Sequence, residues 1–522
     1  MILTLCAELC QANGRNTIYD TNVKTLQVVV NKDWLSPAVM ELKSSDMLHI
    51  SFDEMSHDYH RFVYKIEHCE ADWSVSDGLF ESDYIEGFNN NPIEDYQNSI
   101  NTTVLYTHYK LDIPNDKCRL KISGNYRLTV YDEDNDNRKV LTVEFMVVES
   151  DMNVGLAVTS NTDIDLNESH QQLSMTLNYG EFSITNPTEQ IHTVITQNNR
   201  PESARINVKP NIVNNKGLQW NHNKQLIFDA GNEYHKFEVL ALSHPTMGID
   251  RISWDGHNYN EPRKNYLYDE DANGAFYIRN SDNIENDYTC DYVYVHYRLR
   301  SPELTGCNIA VNGQWATDED QSAYVMQYDQ ANAEYQATIL QKQGYYSYRF
   351  ITVDNNGITG IPPTEGNFYQ TENRYQAYVY YKGTGERTWR LVGYRQVEFT
   401  TRRPSLLGCR LGRRPANHRL LQHHAQQCQW HQGGEYHRQP SANQMRSSAM
   451  ANVLHRNTLA VLSRQKAQPH ILVMVAPFAL IHITYPTASR QTLPISRLPA
   501  RHICQRGALG RQAGKTKTFA SQ

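Results

Sequence analysis

The chain has 522 residues, 39% hydrophobic and 20% charged, with a formal net charge of −7. That charge joins two unlike parts: residues 1–399 hold 32 Lys and Arg against 56 Asp and Glu, a net of −24, whereas residues 400–522 hold 18 against the single acid Glu435, a net of +17. No apolar run reaches the ~20 residues of a membrane-spanning helix, and the tail's Arg are scattered and lie on no helical face, so neither a membrane span nor a nucleic-acid arm is expected.

Residues 1–12 read MILTLCAELCQA. The run is apolar but short, it holds Glu8, and Cys10-Gln11-Ala12 resembles a small-x-small cleavage site without the basic region that opens a secretory signal. Residues 1–12 are therefore expected to be the remnant of a signal peptide, and the product to be exported. Neither Cys6 nor Cys10 has a lipid-attachment context.

From residue 13 to 399 the pattern is β. Alternating or β-branched runs at 25–30, 62–66, 126–131, 140–148, 292–299, 346–353 and 375–381 are each bounded by Asn, Asp, Gly or Pro, and no helical stripe of 12 residues occurs. Many short strands separated by turn signals predict an all-β fold of tandem sandwiches. Breaks at Glu149-Ser150-Asp151 and in the polar stretch 280–287 predict an N-terminal sandwich at 13–149, a middle β domain at 150–285 and a C-terminal sandwich at 286–399.

Two stretches imitate calcium loops. Asp132, Asp134 and Asp136 are followed by Asn137 and Val143 at the positions that need Gly and Glu, and Asp269-Glu270-Asp271-Ala272-Asn273-Gly274 has Asn280 at its twelfth position. Both read better as hairpin turns, the second between 266–268 and 276–278, because Asn, Asp and Gly tolerate positive φ. No nucleophile elbow, zinc-protease motif or phosphate loop is found, so no catalytic residue, cofactor or metal is assigned. Cys69, Cys118, Cys290 and Cys307 read as buried free thiols or, for Cys290 with Cys307, a bridge.

Tyrosine is the marked surplus, with 31 of 33 before residue 400. Tyr292, Tyr294 and His296 alternate with Val293, Val295 and Tyr297, and core packing is the expected use of such a face. In the tail, His418, His423, His424, Cys428, His431 and His437 lack paired zinc spacings, and the apolar run 471–483 is followed by Pro486. With almost no acids and no hydrophobic period, residues 400–522 are expected to form no packed domain and to be an out-of-frame translation or a disordered, largely unstructured basic tail.

The phrases NTIYDTNVKTLQV from Asn16, FVYKIEHCEADW from Phe62, SDYIEGFNNNPIEDYQNSINTTVLYTHYKL from Ser82 and LKISGNYRLTVYDEDN from Leu120 resemble, in order, the plug-protein family of the type IX secretion system. VKPNIVNNKGLQW from Val208, DYVYVHYRL from Asp291, PTEGNFYQTEN from Pro363 and RLVGYRQ from Arg390 continue the resemblance, which covers about 16–397 and stops where the acids stop. It implies a non-catalytic periplasmic protein of Bacteroidetes-type bacteria, associated with the outer membrane, whose partner is the translocon barrel and whose role is to close the barrel's periplasmic opening. Surface candidates for that contact are Asn89, Asn90, Asn91 and Tyr96 in the loop 87–96, chosen for its turn chemistry. The alternative is a carbohydrate-binding module. The segment from Val311 resembles the early-set immunoglobulin-like sandwiches of glycogen- and starch-acting proteins, and there Trp315 would stack on a sugar, although a packed core Trp is the expected use.

Overall fold

The computed structural model describes residues 15–242, 246–247, 266 and 268–401, and the backbone of two strands, His470–Val475 and Ala479–Thr484. The expected signal remnant 1–12 and the tail's His/Cys set lie outside the described residues. All seven predicted strands are present, as Val23–Val30, Phe62–Cys69, Gly124–Asp132, Arg138–Val148, Tyr292–Arg300, Gly344–Asp354 and Arg374–Tyr381. Helices among the described residues are turns of three or four residues, as expected where no stretch carries a 3.6-residue stripe.

The first sandwich faces two sheets. One runs Thr17–Ile18, Arg138–Val148, Gly124–Asp132, Phe62–Cys69 and Asn91–Pro92, with Val39–Glu41 parallel to Arg138–Val148; the other runs Val23–Val30, Leu48–Glu54, Thr107–Ile113 and Asp95–Asn98. Between them Phe52 stacks on Tyr109 at 5.4 Å and Phe62 meets Tyr109 edge-on at 4.8 Å, with Ile66, Leu128, Val143 and Phe145 filling the remainder. The first calcium-like run is indeed a hairpin turn. Asp132 accepts from the Asp134 amide at 3.1 Å and the Asn135 side chain at 2.6 Å, and Asp136 and Asn137 take φ of 54° and 53°.

The middle sandwich departs from a contiguous division of the chain. Its first sheet runs Asn153–Thr159, His170–Asn178, Gly217–Trp220 and Ile212–Asn214, but its second runs Arg200–Ile206, Ile191–Gln197, Arg374–Tyr381 and Arg390–Glu398. The last two strands, expected in a C-terminal domain 286–399, thus return to the middle one, because Tyr375, Ala377, Val379 and Val392 fill its core beside Leu173, Met175 and Ile195. Residues between are inserted as the third sandwich, which also recruits His235–Val239 and Phe276–Ile278 from the stretch expected in the middle domain. Alternation identifies a strand but not the sheet it joins.

In the third sandwich, Gln327–Asp329, Glu334–Lys342 and Tyr292–Arg300 face Gly344–Asp354 and its neighbours. Val293, Val295 and Tyr297 point into the core, as expected, while Tyr292 is fully buried on the opposite side. Among the described residues of the hairpin expected between 266–268 and 276–278, 266 and 268 are in no strand. Asn273 and Gly274 do turn the chain with φ of 51° and 87°, but Phe276–Ile278 pairs with 344–346, because Asp271 accepts the amides of Asn273 and Tyr234 and holds the preceding loop elsewhere. In the tail, the apolar run forms a hairpin of His470–Val475 with Ala479–Thr484, whose second strand pairs with 294–296. Of the rest of 400–522, only Thr400 and Thr401 are among the described residues. No helix of the described residues is long and apolar enough to cross a membrane.

Candidate functional site

The segment 85–98, which contains the expected contact loop, is the open side of the first sandwich. Ile85–Gly87 pairs with Cys118–Leu120, Asn91–Pro92 is the last strand of one sheet, and Asp95–Asn98 is the last strand of the facing sheet. Ile93, 1% exposed, anchors the crossing between the two. Asn89 is a structural residue: its side chain accepts from the Ile66 amide at 2.8 Å and donates to the Ile66 carbonyl at 2.9 Å, taking the place of a neighbouring strand. Asn90 supplies the left-handed turn at φ 61°, and Asn91 donates to the Phe88 carbonyl at 2.6 Å. Of the four candidates, Asn90 and Tyr96 are exposed, and the one that presents an aromatic ring is Tyr96. It is 44% exposed, and its ring lies 4.8 Å from Tyr59 and 5.9 Å from Tyr109. Ile100 and Leu105 extend the exposed apolar surface, and Phe80 and Phe88 stand out on the other flank of the segment.

This edge is braced from behind by a polar cluster that sequence reasoning missed. Asp53, on Leu48–Glu54, accepts from His108 at 2.5 Å, from Lys342 at 2.6 Å and from the Tyr292 hydroxyl at 2.6 Å, and all four side chains are buried. Burial pushes the Asp53 carboxyl up, but Lys342 and His108 reverse it and hold the group below its usual range. Lys342 also donates to the Asp287 carbonyl at 2.5 Å and lies 4.1 Å over the Tyr106 ring. A β-bulge at Thr25, with φ 55°, aims its hydroxyl at Tyr292 from 2.6 Å. Around the cluster, Asp291 accepts the Thr103 and Val104 amides at 2.7 and 3.0 Å, and Tyr106 donates to the Cys290 carbonyl at 2.7 Å. The first and third sandwiches are thereby joined through buried charge.

The first sandwich is joined as closely to the middle one. Tyr380 donates to Asn125 at 2.8 Å, Glu70 accepts from Thr388 at 2.9 Å, and Arg390 pairs with Glu149 at 2.7 Å around an apolar patch of Ala71, Val148, Tyr378, Tyr380 and Leu391.

Among the described residues no group of three or more His, Cys, Asp or Glu is placed to hold a metal ion. A cleft of about 220 Å³ between residues 18–25 and the third sandwich is lined by Lys24, Trp315, Tyr324, Gln341 and Tyr346. Trp315 is only 9% exposed; it donates to the Ser347 carbonyl at 3.1 Å and packs against Tyr297, Tyr324 and Tyr346, so its ring is used by the core. Cys69, Cys118, Cys290 and Cys307 are free thiols, Cys290 and Cys307 forming no bridge.

Residues 23–149 match the sequence model of the type 9 secretion system plug protein first domain. Among solved structures, a hypothetical protein from Parabacteroides merdae is 35% identical, with a TM-score of 0.70 over 74% of this chain and 99% of that one. No curated protein matches the chain. The matched residues carry the exposed edge and, in Asp53 and His108, one side of the brace behind it, and over 23–149 the chain is a first domain of the type 9 secretion system plug protein family.

Proposed function

We propose that the protein is a non-catalytic subunit that closes the periplasmic end of the type IX translocon in the outer membrane. Involvement in type IX secretion follows from the family; closure is the reading that the build of the molecule supports best. The observation that carries it is the bracing: the Asp53–Lys342 cluster on one side and the Tyr380–Asn125 contact on the other tie the first sandwich to both of its neighbours through buried groups. An obstruction in a wide pore must resist deformation by passing chains, and such interfaces resist sliding because a shift unpairs buried charge at the one and a buried hydrogen bond at the other. The partner is the translocon barrel.

The test is affinity purification of the tagged chain from its native bacterium, paired with gene deletion. The reading predicts co-purification of the barrel, and an assembled translocon with raised outer-membrane permeability to a bulky antibiotic once the gene is deleted. Purified translocon that never contains this chain, secretion-blocked cells included, would overturn it.

A further inference from the structure

We propose that the outer edge of strand Asp95–Asn98 is a β-augmentation site, at which an extended segment of the barrel partner with alternating basic and apolar side chains adds a strand to the first sandwich. The inference rests on the reading above and deepens it.

The strand is last in its sheet, beyond Thr107–Ile113, and all four of its residues are exposed. Its register pairs Asp95, Tyr96, Gln97 and Asn98 with Lys110, Tyr109, His108 and Thr107, and the next residue, Ser99, donates its amide to the Tyr106 carbonyl at 2.9 Å. Antiparallel bonding alternates, so Gln97 and Asp95 also bond inward, and the N–H and C=O of Tyr96 and Asn98 point to the open side. Edge strands are ordinarily guarded by Pro, Lys or a bulge. The facing sheet follows this rule, since its last strand contains Pro92, whereas Asp-Tyr-Gln-Asn has no Pro, Lys or bulge, and its guards are the charge of Asp95 and its four-residue length.

The surroundings define the partner. Tyr59, Tyr96, Ile100 and Leu105 offer exposed apolar anchors along the edge. Asp58 and Asp95 are exposed beside them, and Glu94 is exposed but paired with a lysine. Both nearby lysines are already engaged, Lys110 with Asp287 at 2.6 Å and Lys117 with Glu94 at 2.9 Å. The edge is thus acidic and apolar, and complementarity asks for a basic and apolar strand. At ~3.4 Å per residue, four residues accept a partner strand of roughly four to six. The edge is also preorganised, because the following loop is fixed to the third sandwich by the Ile100 amide on the Tyr288 carbonyl at 2.8 Å and by Asp291 on Thr103.

The test compares Asn98→Pro with Asn98→Ala in the tagged full chain, with a photo-crosslinking amino acid at position 97. Both variants lose the side chain, and only proline loses the outward N–H, a change an edge strand tolerates. With equal melting temperatures, Asn98→Ala should retain the barrel within about twofold and Asn98→Pro should lose about tenfold or more, with the crosslink falling on a Lys- or Arg-bearing segment of the barrel. Should Asn98→Pro melt early, Asp95→Lys with Gln97→Lys, two exposed changes that keep the strand paired, should repel the segment to the same degree. Equal capture by the proline or lysine variants and the alanine variant overturns the strand-addition site while the plug reading stands. A crosslink to a second copy of this chain likewise overturns it. Failure of the wild-type chain to capture the barrel removes both.

Discussion

Replacing Lys342 with methionine removes the positive end of the cluster that joins the first and third sandwiches, and keeps the stem's volume. Asp53 then remains buried, at 1% side-chain exposure, with His108 and Tyr292 as its donors. Breaking a buried pair from one side costs about 3–5 kcal/mol, and the two surviving donors put the expected loss near the lower end, about 3 kcal/mol. Asp53→Asn alone leaves the ammonium with the Asp287 carbonyl and the Tyr106 ring, and should cost a similar amount. Because each single change strands the other group, the double variant should lose less than the sum by at least about 2 kcal/mol. The assay is urea unfolding of the full chain and the three variants, followed by near-ultraviolet dichroism of the buried Tyr and by proteolysis at the interface. Acid supplies a second reading. The Asp53 carboxyl lies below its ordinary value, so its contribution is present above about pH 4 and is lost as pH falls through the folded value; Asp53→Asn should flatten that loss. A Lys342→Met cost under about 1 kcal/mol, or strictly additive losses, would refute the argument that this cluster is the brace.

The other expectations are of the same kind. Trp315→Ala should cost about 3–5 kcal/mol in thermal or urea unfolding, and the wild-type chain should show no affinity for an α-glucan; an unchanged melting temperature with abolished glucan binding would reverse the reading. Of the four thiols among the described residues, burial pushes Cys69 and Cys290 up to about 12 and Cys118 to about 11, so a thiol reagent followed by mass spectrometry should label Cys307 before these three, which should react only on unfolding. Burial, with mutual repulsion, raises Glu233 to about 8, and burial raises Asp271 to about 7, above the ordinary carboxylate values near 4. Their contribution is full below about pH 4 and lost as pH rises through those values, so the chain should melt lower at pH 9 than at pH 6, and Glu233→Gln should narrow the gap; an equal decline in both proteins would contradict this.

The strands were legible because alternation and turn residues are local signals. Phe62 to Ile66 and Tyr126 to Tyr131 show them plainly, and Asp132 to Asn137 states its turn in the residues themselves. Sheet membership was not legible. Nothing local in Tyr375-Gln376-Ala377-Tyr378-Val379 says that its partner is Ile191–Gln197, almost two hundred residues earlier, and the third sandwich is inserted between them. The interface cluster was hidden for the same reason. Asp53 and Lys342 are 289 positions apart, each reads as an ordinary charged residue in a strand, and only the docked sandwiches bring them together. The loop 87–96 was found through turn chemistry, yet that chemistry serves the fold at Asn89, Asn90 and Asn91; the exposed strand edge that begins within it at Asp95 carries no motif.

The most direct test of closure is electrical. Translocon purified from cells lacking this gene would be placed in a planar bilayer and its conductance recorded before and after adding the full chain to the periplasmic side. The account predicts a large steady conductance that falls stepwise as the chain binds, with the Lys342→Met variant closing less stably. Conductance that stays unchanged while the chain is bound at saturation would contradict it.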